Sequence, residues 1–83
     1  MKRNNLDICA DILRVSKGGA KKTHLVYQAN LNFKIVKRYI SELIEKELLE
    51  REGDRYYLTN KGSEFIERYD ELVTPFSNGS IDW

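Results

Sequence analysis

The chain has 83 residues, 41% of them hydrophobic and 33% charged, with a net charge of +1. That length accommodates one domain with a modest core. One cysteine and one histidine fall short of the about four ligands of a structural zinc site, and no apolar run approaches the roughly 18 residues of a membrane span. A lone cysteine and the absence of an apolar leader fit a reducing, cytoplasmic environment.

The first apolar periodicity runs over residues 6–16. Ile8, Ile12 and Val15 share a helix face, with Asn4 or Asn5 as the cap and Gly18-Gly19 as the stop. A short second helix is predicted over 22–29, with Leu25, Val26 and Ala29 inward. Asn30-Leu31-Asn32 then reads as a tight turn, and Asn32 can cap a third helix over 33–46 whose stripe is Val36, Ile40, Leu43 and Ile44. Two helices joined in this way form a helix-turn-helix.

Residues 48–52 and 55–58 flank Gly53-Asp54, the signature of a two-residue hairpin turn. An isolated hairpin is marginal, so this one is expected to lean on the helices through Leu49, Tyr56 and Leu58. Thr59 can cap a fourth helix over 60–72, and Pro75 is expected to prevent its continuation. The fold class is therefore mainly α with a β-hairpin (α+β), in the order α-α-α-β-β-α. Residues 1–73 form the domain and 74–83 a short flexible tail.

Charge is distributed unevenly along this plan. Residues 1–41 hold nine Lys/Arg against two Asp/Glu, whereas residues 42–83 hold five against eleven. No acid occurs between Asp11 and Glu42, so a positive field suited to phosphates can arise on a nearly neutral protein. On the third helix, Asn32, Phe33, Lys34, Lys37, Arg38 and Ser41 occupy the part that meets bases in helix-turn-helix proteins. Lys34 and Lys37 suit phosphates or guanine, Ser41 suits a phosphate, and Arg38 has the fork for guanine O6 and N7. Arg38 and Tyr39 also carry structural alternatives, Arg38 bracing the fold and Tyr39 packing under the hairpin. Lys21, Lys22 and Thr23 open the second helix, where N–H groups and hydroxyls bond backbone phosphates. Arg55 beside the hairpin turn is a candidate for the minor groove or a phosphate, although Glu50, Glu52 and Asp54 around it oppose phosphates.

Several of these segments carry a family resemblance: Lys22-Thr23, Tyr27-Gln28-Ala29-Asn30-Leu31, Arg38-Tyr39-Ile40, Glu52-Gly53 and Tyr57-Leu58-Thr59-Asn60-Lys61-Gly62. Together they resemble the small archaeal winged helix-turn-helix proteins, which include dimeric, chromatin-type DNA-binding members. The resemblance covers most of residues 6–72. It implies a cytosolic homodimer on double-stranded DNA, joined by an antiparallel coiled coil of C-terminal helices. The last helix of this chain is expected to be shorter than theirs.

The stripe Phe65, Ile66, Tyr69, Leu72 and Val73 on the fourth helix is the candidate dimer surface. The preferred function is a sequence-specific or architectural DNA-binding protein acting in transcription. The alternative is a protein-interaction module using that same stripe. No phosphate loop, nucleophile elbow, histidine triad or metal cluster supports catalysis or a cofactor.

Overall fold

The computed structural model describes residues 5–77. The first helix, α1 (Asn5–Val15), buries Ala10, Ile12 and Leu13, with Asp7 in its first turn and Arg14 in its last, both signs matched to the helix dipole. Asn5 is the first residue of this helix, and Asn4, the other expected cap, lies outside the described residues. Ser16 is wholly buried, and its hydroxyl donates to the Ile12 carbonyl at 2.8 Å. A single 3₁₀ turn over Ser16–Gly18 follows. It ends at Gly19, whose φ of 91° suits glycine and whose missing β-carbon leaves room for the Tyr57 ring.

The chain then forms a strand that the sequence pattern did not indicate. β1 (Ala20–Lys21) is only two residues long, too short to express a period. Ala20 pairs with Tyr56 and Lys21 with Arg55, so the expected two-stranded hairpin becomes a three-stranded antiparallel sheet. This addition joins the hairpin to the entrance of the helix-turn-helix.

The helix-turn-helix comprises α2 (Lys22–Ala29) and α3 (Phe33–Glu45). α2 ends in a Schellman arrangement: Asn30 adopts φ 55°, its N–H reaches the Tyr27 carbonyl, and the Leu31 N–H reaches that of Val26. Asparagine is among the residues that tolerate this left-handed conformation. The Asn32 side chain accepts from the Ile35 N–H at 2.8 Å and so caps α3 as expected. Val36, Ile40 and Leu43 are buried, whereas Ile44 at the end of the expected stripe is exposed. A second Schellman arrangement closes α3, with Glu47 at φ 62° and the Leu48 N–H bonded to the Leu43 carbonyl.

The wing is β2 (Leu49–Glu52) and β3 (Arg55–Leu58), paired from Leu49↔Leu58 to Glu52↔Arg55. Gly53 has φ 64° while Asp54 lies outside the positive region, a pattern that fits a type II′ turn. Sheet order is β1-β3-β2. Leu49 and Tyr56 are buried and Leu58 half-buried, so the hairpin leans on the helices through the expected side chains. Tyr39 is half-buried and packs against the core cluster that includes Leu49 and Tyr56 of the wing. Its hydroxyl donates to the Asn5 carboxamide at 2.7 Å, tying α3 to the start of α1.

Finally, α4 (Asn60–Ser77) corrects the expected helix end. Pro75 lies inside it. Proline's fixed φ is itself helical, and what it removes is one N–H bond and some clearance at the preceding turn. Thr74, immediately before it, turns its hydroxyl back to the Asp70 carbonyl. Residues 74–77, read as the start of a tail, are thus helical, and the rest of that tail, 78–83, lies outside the described residues. One continuous core collects Leu25 from α2, Val36 and Ile40 from α3, Leu49 from the wing and Ile66 from α4 around Ile12 and Leu13. Each fully buried Leu or Ile contributes about 1.5–3 kcal/mol relative to exposure.

Candidate nucleic-acid interface

The core stripe of α3 decides what its other face presents. With Val36, Ile40 and Leu43 inward, helical periodicity sends Lys34, Lys37, Arg38 and Ser41 outward, and all four are exposed. Among the described residues, none of Lys34, Lys37 and Arg38 has a carboxylate within ion-pair distance. Their charges are therefore not cancelled by a close acidic partner among those residues.

The α2 side of the site is organised differently. Thr23 is exposed in its first turn. Lys22 is half-buried, and its Nζ lies 5.5 Å from the centroid of the Phe33 ring, a cation–π contact that ties the start of α2 to the start of α3. Phe33 itself is 49% exposed. Asn32 is occupied by its capping bond. Lys21 ends β1, and its Nζ lies 3.7 Å from Asp54 Oδ2 at the wing turn.

That ion pair shows what the wing does with its charge. Asp54 faces a lysine expected to meet phosphate, and Arg51 donates from Nε to the Gly53 carbonyl at 3.0 Å, across its own turn. Arg55 is exposed and stands in register between Lys21 and Glu52. Lys21 and Arg55 are thus brought together at the turn end of the sheet, with Asp54 and Glu52 beside them.

The α4 stripe divides in two. Ile66 is buried in the chain's own core, which removes it from any partner surface. Phe65 packs partly against the core. Tyr69 is half-buried: its hydroxyl donates to the Asp7 carboxylate, and the Arg14 guanidinium lies 5.6 Å from its ring centroid. Val73 is half-buried, and Leu72 is 66% exposed. Leu6, Leu48, Phe65, Tyr69 and Leu72 line an open apolar groove of about 420 Å³, with Lys61, Glu64 and Arg68 at its edges. Helical spacing alone joined the buried and exposed members of this stripe. It could not reveal that Leu6 and Leu48 complete a groove with only some of them.

Tyr27 is an aromatic side chain 83% exposed on α2. Its exposure follows from the helix register, since Leu25 and Ala29 on the same helix are buried.

A family model described as winged helix-turn-helix matches residues 2–74, and the chain belongs to that family. Among solved structures it is similar to Sso10a-2, a DNA-binding protein from Sulfolobus solfataricus. The TM-score is 0.77 at 27% identity, covering 92% of this chain and 84% of that one. It is similar in fold to T. acidophilum IdeR, with a TM-score of 0.67 at 21% identity, covering 93% of this chain and 41% of that one. Two uncharacterized proteins of Methanocaldococcus jannaschii are also similar. MJ0290 is 34% identical over 73 residues, or 87% of this chain, and MJ0287 is 29% identical over 72 residues, or 86% of it. The chain spans about a third of the length of MJ0290 (35%) and 74% of MJ0287. The winged helix-turn-helix family, matched over residues 2–74, points to a non-enzymatic domain. No helix among the described residues is long and apolar enough to cross a membrane.

Proposed function

We propose that this chain binds double-stranded DNA, with α3 in the major groove and the start of α2 against the phosphate backbone. The observation that carries this reading is the outward face of α3, where Lys34, Lys37, Arg38 and Ser41 are exposed without a close acidic partner among the described residues. Three adjacent cations on a helix that fits the major groove suit both phosphate and guanine. The DNA binding of the similar Sulfolobus protein supports the same reading. Thr23 and Lys22 serve as phosphate contacts, Lys21 and Arg55 as a second cationic pair at the wing, and the role is that of a cytoplasmic transcriptional regulator or architectural protein.

The protein acts as a homodimer through α4, and two observations support this. Leu72 is exposed beside the apolar groove. Lys61, Glu64, Arg68 and Glu71 alternate in sign along one side of α4, and 61 and 71, like 64 and 68, are equidistant from 66. An antiparallel twofold pairing sets Lys61 opposite Glu71 of the partner subunit and Glu64 opposite Arg68 of the partner subunit, opposite signs in each case. The participating apolar side chains are Leu6, Phe65 and Leu72.

Titration of a labelled duplex at about 50 and 200 mM salt tests DNA binding, because phosphate-driven affinity falls by orders of magnitude over that range. A folded Lys34→Ala/Lys37→Ala/Arg38→Ala variant is expected to lose it. No binding by the wild type at the lower salt would remove the DNA reading. The groove would then define a protein-interaction module. Sedimentation of Leu72→Glu against wild type tests the dimer.

A further inference from the structure

We infer that Phe33 is a specificity-determining residue that recognises the 5-methyl group of thymine at one end of the α3 footprint. The inference rests on the proposed docking of α3 in the major groove and assigns a role within it.

Phe33 is the first residue of α3, the helix end that meets base edges in helix-turn-helix complexes. Its ring is absent from the core cluster and is 49% exposed. A single exposed apolar side chain is ordinary on a protein surface. This ring, however, is held: the Lys22 ammonium lies 5.5 Å from its centroid and couples it to α2. It is also set among cations, with Lys22 on one side and Lys34 next in the chain. An approaching phosphate backbone would therefore bring base edges to this end of the helix.

The neighbouring residue narrows the choice. An asparagine at such a position reads adenine by offering its acceptor and donor together to N6 and N7. Asn32 turns its Oδ1 back to the Ile35 N–H at 2.8 Å, so that its acceptor is engaged in the cap. The apolar side chain at the helix start is the phenylalanine ring, which offers neither a donor nor an acceptor. Only one major-groove edge presents an apolar group, the thymine methyl. Lys22 is a positioning residue in this arrangement, because its contact is with the ring.

The test compares two duplexes of identical mixed sequence, one containing thymine and the other uracil throughout, which differ only in the methyl groups. Affinities are measured at about 50 mM salt for wild type, Phe33→Leu and Phe33→Ala, each checked for native unfolding behaviour. The wild type is expected to bind the thymine duplex about three- to fivefold more tightly, the scale of one buried methyl-sized group. Phe33→Ala should bind both duplexes equally, and Phe33→Leu should retain part of the preference. Equal binding of both duplexes by the wild type overturns the inference and leaves DNA binding intact. So does an undiminished preference in Phe33→Ala. Failure of the wild type to bind either duplex removes the docking itself, and the inference with it.

Discussion

A β-carbon at Gly62 would lie 2.2 Å from the carbonyl oxygen of Leu48 and 2.7 Å from Cδ1 of Leu58. The first turn of α4 is therefore pressed directly onto the end of the segment leading into the wing. The obstacle is backbone, which cannot swing aside as a side-chain tip can. Alanine is favoured over glycine inside helices by about 1 kcal/mol, so the sign of Gly62→Ala measures the contact. We expect a net loss of about 2 kcal/mol, the scale of overpacking. This corresponds to a fall in Tm on the order of 10 °C for a domain of this size. A variant as stable as wild type in thermal unfolding would contradict the close approach.

The same junction depends on Thr59. Its hydroxyl donates to the Glu47 carbonyl at 2.7 Å and accepts from the Gly62 N–H at 2.9 Å. One side chain thus caps α4 and joins it to the left-handed residue that closes α3. Thr59→Ala should cost about 1–2 kcal/mol in urea unfolding, within the range for lost N-caps. Thr59→Ser keeps the hydroxyl and should recover most of that loss. Equal destabilisation by both replacements would place the effect in packing of the methyl group.

These two residues show why much of the fold was legible in the sequence. Thr59 and Gly62 belong to the run Tyr57-Leu58-Thr59-Asn60-Lys61-Gly62, and each is needed for a chemical reason: a hydroxyl at a cap, and no β-carbon at a close approach. Asn32 was legible in the same way, as a polar cap before an apolar period. β1 was not, because two residues carry no periodicity and their pairing with Tyr56 and Arg55 is long-range. Pro75 misled through a local rule, since a helix near its end tolerates one missing N–H. The cationic face of α3 could be read from spacing. The division of the α4 stripe could not, because burial of Ile66 and exposure of Leu72 depend on where α1 and the wing pack.

The ion pair between Lys21 and Asp54 yields a prediction about binding. Both groups are largely exposed and 3.7 Å apart, so the pair contributes at most about 1 kcal/mol to folding. Its larger effect is on the proposed interface, where Asp54 competes with phosphate for Lys21 and repels the backbone. Asp54→Asn should leave unfolding nearly unchanged and tighten duplex binding a few-fold at low salt. Its dependence of log K on log salt should steepen by about 0.9, one further phosphate contact. An unchanged slope would mean that neither Lys21 nor the wing turn lies near the duplex.

Cys9 supplies a pH dependence that can be separated from DNA binding. Its thiol is half-buried against the core. Burial pushes its pKa up, the Glu42 carboxylate adds to the rise, and Lys46 opposes it. The folded state therefore holds the proton more tightly than the unfolded chain does. Below the unfolded value both states are protonated, and the group has no effect on the pH dependence of stability. As pH rises past the unfolded value and through the folded one, the unfolded chain releases its proton first and stability falls. Denaturant midpoints of wild type and Cys9→Ala, compared from neutral to alkaline pH, should show this. Alanine should be the less stable at neutral pH, because it loses buried sulfur, and the gap should narrow as the solution becomes alkaline. A gap that stays constant throughout would show that the thiol ionises as readily in the folded protein as in the unfolded chain.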